Sequence, residues 1–98
     1  MSESAYIYIL RCRGGGLYTG WTTDVPRRVE QHQSGKGGRY TRSHLPVELV
    51  YQEEYATQSE AMRRECEIKK MTRVQKLALI ERRQKSPLPP RPHERPPQ

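Results

Sequence analysis

The chain has no phenylalanine, one tryptophan and two cysteines, and only 33% of its 98 residues are hydrophobic. So small an apolar stock excludes a second core, and one modest domain is what this length supports. No segment approaches the apolar length that a bilayer requires, and Met1-Ser2-Glu3-Ser4 lacks the basic flank and apolar run of a signal peptide. No membrane partner is therefore expected. Cys12 and Cys66 stand 54 residues apart, in no CxxC or Cys/His ligand spacing, which argues against zinc. Both thiols are expected to be reduced, in a cytoplasmic protein.

Positive charge is what abounds. Eighteen Lys and Arg, thirteen of them Arg, face eleven Asp and Glu, giving a net charge of +7 and a pI near 9.8. That balance suits a partner made of phosphates, and the planar fork of arginine fits phosphate better than a lysine point charge does. A merely solvated basic surface is the bland alternative.

The apolar residues cluster at strand-like and helix-like spacings in residues 5–84, expected to form the domain. Tyr6 to Cys12, the turn Arg13-Gly14-Gly15-Gly16, and Leu17 to Thr22 read as a β-hairpin. Register decides its chemistry. If Leu10 faces Tyr18 and Tyr8 faces Gly20, the phenols of Tyr8 and Tyr18 share one face; a slip of one residue splits them. Both registers remain open, and a bulge in the glycine turn is compatible with either.

Asp24 is suited to cap a helix from about Val25 to Gln33, with Pro26 in its first turn. The helical period puts Val25, Arg28, Val29 and His32 on one stripe, so two polar residues share the face aimed at the core. Ser34 to Arg42, rich in glycine and carrying Lys36, Arg39 and Arg42 on no apolar period, reads as a flexible basic loop that contacts phosphate. Pro46 to Tyr55 reads as a third strand. Thr57-Gln58-Ser59-Glu60 has the capping-box pattern and starts a helix to about Lys70. Thr72-Arg73-Val74-Gln75 repeats it and starts a last helix over 72–83, with Val74, Leu77, Ala78 and Ile80 as its apolar positions. In residues 85–98 six of fourteen are proline, a tail expected to be disordered or polyproline II.

On the Thr57 helix Glu65 lies within the apolar stripe of Ala61 and Ile68. An inward carboxylate needs a partner or a metal, and either an ion pair with Arg28 or a metal ion meets that need. Two phenols, a guanidinium, an imidazole and a carboxylate are the parts of a phosphodiester hydrolase. One carboxylate is enough for a hydrated Mg²⁺, which keeps waters and takes phosphate oxygens. The cation and arginine offset phosphoryl charge, and a phenolate beside them accepts a proton from water.

Tyr6-Ile7-Tyr8 and Tyr18-Thr19-Gly20, followed by Arg28, His32 and Glu65, resemble the GIY-YIG nuclease family. More narrowly, Leu17 to Val25, His32-Gln33-Ser34-Gly35-Lys36-Gly37 and the Glu65 helix are similar to short stand-alone bacterial members of the YhbQ/YazA type, over about residues 5–81. The resemblance implies an α+β fold, a small three-stranded antiparallel sheet flanked by about three helices. It also implies an endonuclease using one divalent ion, Mg²⁺ or Mn²⁺. Glu65 matches the metal ligand, Arg28 the phosphate-binding arginine, His32 a position of tyrosine or histidine, and Tyr8 and Tyr18 the motif tyrosines; which of these is the base stays open. Lys36, Arg39 and Arg42 are expected to bind nucleic acid. The implied partner is DNA, single-stranded, duplex or branched, cut with low sequence specificity by a monomer, and the family suggests repair or recombination.

Two departures stand out. Tyr6 occupies the place of the first motif glycine, and no asparagine, here or anywhere in the chain, matches the family's last motif. A non-cutting nucleic-acid-binding module on the same scaffold is the second reading, and a partner-docking protein whose tyrosines only fill a core is the third.

Overall fold

The computed structural model describes residues 4–85, in the order β1 (Ala5–Cys12), β2 (Leu17–Thr22), α1 (Val25–Gln33), α2 (Arg39–Ser43), β3 (Val47–Tyr55), α3 (Gln58–Lys69) and α4 (Arg73–Lys85). The proline-rich tail read at 85–98 lies, after Lys85, outside the described residues. The three strands form one antiparallel sheet, ordered β2-β1-β3.

β1 is the middle strand, and both of its faces are covered, which explains why its sequence runs without a charge from Ala5 to Leu10 before the exposed Arg11. Ala5, Ile7 and Ile9 point to one side and pack with Ala61 and Ile68 of α3 and Leu79 and Ile80 of α4. Tyr8, Leu10 and Cys12 point to the other side and pack with Val47, Tyr18, Val29 and Leu45. Period-2 alternation along a single strand thus feeds two small cores, and a chain with few apolar residues completes both by making its helices one-sided.

The hairpin pairs Leu10 with Tyr18 and Tyr8 with Gly20, the register that sets both phenols on one face. Its turn closes through Cys12 N–H to the Gly16 carbonyl (2.8 Å) and Gly15 N–H to the Cys12 carbonyl (2.9 Å). Gly14 and Gly15 there have φ of +91° and +93°, a conformation that side chains resist. The irregularity in the sheet lies elsewhere, between Ile9 and Leu10 on the β1–β3 side.

Helix starts follow their capping residues. The Asp24 carboxylate accepts from Arg27 N–H at 3.1 Å. Thr57 and Glu60 exchange bonds reciprocally, and Thr72 and Gln75 do the same at the start of α4. Each such cap is worth about 1 kcal/mol.

Two expectations need correction. Residues 34–42 are not loop throughout: Arg39–Ser43 form α2, a fourth helix, because Thr41 turns inward and is fully buried. In α4 the buried positions are Leu79 and Ile80, while Val74 is 75% and Leu77 37% exposed. The helix joins the core through Leu79 and Ile80 in its middle, and its first apolar positions meet solvent.

Candidate catalytic site

Tyr8 reaches the site by lying across β2. Gly20, its pairing partner, leaves the space: a Cβ there would sit 2.6 Å from the phenol oxygen and 2.8 Å from Cζ. Tyr18 stands beside it with ring centroids 6.4 Å apart, and His32 of α1 closes the group, its ring 5.8 Å from Tyr8 and 5.0 Å from Tyr18, edge-on to both. The register and the α1 stripe together bring these three rings into contact.

His32 is fully buried, and both of its ring nitrogens have partners. Nε2 lies 2.9 Å from the Tyr8 hydroxyl and Nδ1 2.8 Å from Thr41 Oγ1. The Thr41 hydroxyl donates to the Gly38 carbonyl at 3.3 Å. With its hydrogen placed there, Nδ1 donates to Thr41, and Nε2 accepts from Tyr8. Burial, with the charge of Arg28 added, holds the imidazole below its ordinary value, so the neutral ring is the resident form at pH 7.

Arg28, one turn before His32, is held by two bonds: Nη1 donates to Gln31 Oε1 at 2.8 Å and Nη2 to the Gly37 carbonyl at 3.0 Å. Gly37 wraps so tightly over the imidazole that a Cβ on it would collide with His32. Gly37 therefore serves close approach, the opposite of the looseness expected from the sequence, while Gly35 supplies a positive φ of +85°. Burial pushes the Tyr8 phenol above its ordinary value. Arg28 opposes the rise by hydrogen bond and charge, while Tyr18 and Glu65 add to it. Tyr8 is a protonated phenol at neutral pH, and a standing phenolate is not what this environment favours.

Glu65 projects from α3 between the buried Ala61 and Ile68, with 18% of its side chain exposed. Its Oε2 meets Lys69 Nζ at 3.3 Å, one turn on, in a pair whose lysine is half in solvent. Its ion pair is thus with Lys69; Arg28 instead spends its bonds on Gln31 and Gly37. The described residues contain no group of three or more His, Cys, Asp or Glu able to cage a metal. A cage is unnecessary for a hydrated divalent ion held by one carboxylate and substrate oxygens, and Glu65 suits that donor set.

Lys36, Arg39 and Arg42 are exposed, on α2 and the segment before it. Thr41, Gly37 and Gln31 take part in the arrangement and were not foreseen. Folding reveals Gly37 and Thr41, because each meets a side chain of α1 nine positions earlier, whereas Gln31 is the i, i+3 neighbour of Arg28 on α1 itself. A groove of about 490 Å³, lined by Tyr6, Asp24, Pro26, Leu49 and Gln52 among others, lies on the Tyr8 face of the sheet but does not include the ring cluster.

Residues 4–78 match the family model described as the GIY-YIG catalytic domain. The chain is 53% identical over 83 residues to a UPF0213 protein of Streptococcus sanguinis, covering 85% of this chain and 95% of that protein. It is 54% identical over 78 residues to a UPF0213 protein of Staphylococcus haemolyticus, covering 80% and 95%. Among solved structures, the solution NMR structure of a UPF0213 protein from Bacillus halodurans is similar at 46% identity and a TM-score of 0.53, covering 80% of this chain and 83% of that one. A second NMR structure, of a protein from E. faecalis, is similar at 37% identity and a TM-score of 0.58, covering 88% and 94%.

Proposed function

The chain belongs to the GIY-YIG catalytic domain family, a nuclease family, and on that premise we propose that it is a divalent-metal-dependent DNA endonuclease of low sequence specificity. The observation that carries this reading is the meeting of Tyr8, Tyr18 and His32 around one point, with Arg28 against the Tyr8 phenol and Glu65 within its electrostatic reach. A structural core of tyrosines has no need of a clamped arginine or a neutral histidine beside them.

In this reading Glu65 holds one Mg²⁺ or Mn²⁺, which offsets charge on the phosphoryl group and its leaving oxygen when bound. Arg28, its fork aimed by Gln31 and Gly37, binds a phosphate oxygen. Tyr18, less buried than Tyr8, marks the side from which water and phosphate approach. Tyr8 relays: a proton arriving at its oxygen is matched by release of its own hydrogen to the neutral Nε2 of His32. The phenol stays uncharged throughout, in keeping with its raised pKa. Lys36, Arg39 and Arg42 hold the flanking backbone through their charge. DNA repair or recombination is the setting this activity suits.

The second reading, a module that binds nucleic acid without cutting it, draws on the ammonium of Lys69 already on Glu65 and on the missing asparagine. A panel of supercoiled, single-stranded, flap and four-way DNA, incubated with Mg²⁺, Mn²⁺ or EDTA, separates the two. Metal-dependent products from the wild type and none from Glu65→Ala are expected; equal cleavage by both removes Glu65 from the metal, and no product on any substrate favours the module.

A further inference from the structure

Tyr40 carries the most open aromatic ring among the described residues, 44% exposed, yet it is firmly placed. Its ring stacks on His44, with centroids 4.3 Å and planes 19° apart. His44 Nδ1 is bonded to the Tyr40 carbonyl at 2.8 Å, and its own carbonyl accepts Arg13 N–H from the hairpin turn at 2.8 Å. The Tyr40 hydroxyl packs against Gly16, where any Cβ would collide with it. The next residue, Thr41, turns inward to His32. Tyr40 therefore stands on the short helix that meets His32 through Thr41 and is fixed against the glycine turn at Gly16, two residues before Tyr18. Arg13, Lys36, Arg39 and Arg42 are exposed on the same segments.

A flat apolar ring held rigid in water offers stacking area at little cost in side-chain entropy, and cations beside it suit the phosphates that flank a base. We infer that Tyr40 is a stacking site for a nucleobase of the strand held at the cluster; the inference rests on the nucleic-acid reading of that site. A base inside a duplex already has neighbours on both faces. The substrate class is accordingly DNA with an unpaired nucleotide next to the phosphate to be cut, as single strands, flaps and branch points provide.

The test compares two labelled oligonucleotides of equal length and equal phosphate charge in EDTA, one a natural single strand and one wholly abasic. The wild type is expected to bind the natural strand about 10-fold more tightly or better. Tyr40→Phe keeps that preference, whereas Tyr40→Ala and Tyr40→Leu lose most of it. For Tyr40→Ala the salt dependence of natural-strand binding stays as in the wild type, while Arg39→Ala lowers its slope by roughly 0.7. Tyr40→Leu, which keeps bulk against the turn, decides the matter if Tyr40→Ala does not fold. A wild type that binds both strands equally, or Leu and Ala variants that keep the preference, overturns the inference. Should DNA be cut with Mg²⁺ without any Tyr40-dependent preference, the stacking site falls and the nuclease reading stands. A Tyr40-dependent preference with no cleavage of any substrate has the reverse meaning.

Discussion

The phenol of Tyr8 occupies the space that a side chain on Gly20 would fill, since a Cβ there would lie 2.6 Å from its oxygen. Gly20→Ala is expected to push the phenol off His32 and to lower DNA cleavage by about 100-fold or more, the scale of a lost proton-transfer group. Overpacking of this kind costs about 1–3 kcal/mol. Cleavage rates and melting temperatures of the two proteins check both effects, and an unimpaired variant means that Tyr8 does not act where it lies.

Because burial and Arg28 depress the His32 pKa, the unfolded chain binds its proton more readily than the folded one. The stability that neutral His32 contributes is complete above pH 6.5, its ordinary value, and is lost progressively as the pH falls from there toward the depressed value. Thermal melts across that interval are expected to show a falling midpoint in the wild type and a flatter profile in His32→Gln. Parallel profiles contradict a neutral, buried imidazole.

Lys69 competes for Glu65 at 3.3 Å, through a partly exposed pair worth about 0.3–0.5 kcal/mol as an i, i+4 contact. Lys69→Ala should therefore lower the Mg²⁺ concentration for half-maximal cleavage modestly, by about 2-fold. A rise in that concentration means the lysine helps the reaction, most simply by holding phosphate.

On the other face of the sheet, Glu53 accepts from Arg64 Nε at 2.9 Å and Nη2 at 3.2 Å, and from the hydroxyls of Tyr51 and Tyr55. Burial raises the Glu53 pKa, but Arg64 and the two phenols outweigh it and hold the carboxyl below its ordinary value. Its contribution to stability is present above pH 4.5, the ordinary value, and lost as the pH falls below it. Glu53→Gln should cost about 2 kcal/mol at neutral pH, less than a fully buried pair because both partners are partly wet. Denaturant titrations at pH 7 and pH 4 check this, with a smaller difference between the two pH values in the variant.

Much of the frame is legible in the residues because its signals are local. Asp24, Thr57 with Glu60, and Thr72 with Gln75 mark three helix starts within a turn of themselves, and the alternation around Tyr8 and Tyr18 narrows the hairpin to two registers. What decides between those registers is not local: both faces of β1 must be covered at once, and only the pairing of Tyr8 with Gly20 leaves the phenol room. Helix α2 escapes for the same reason, since five residues carry no period and its anchor, Thr41, bonds a histidine nine positions earlier. The direction of the Tyr8 shift was equally out of reach. Desolvation depends on what packs around a phenol, and sequence shows only which cations are available to oppose it.

Since Tyr8 and His32 are at once core residues and proposed catalysts, this scaffold has little freedom to trade its chemistry without risking its foldedness. Adaptation to new substrates would be channelled outward, into the glycine turn, the short helix and their arginines, where changes leave the interior alone. Relatives that differ in what they cleave should then diverge at that lip long before they diverge beneath it.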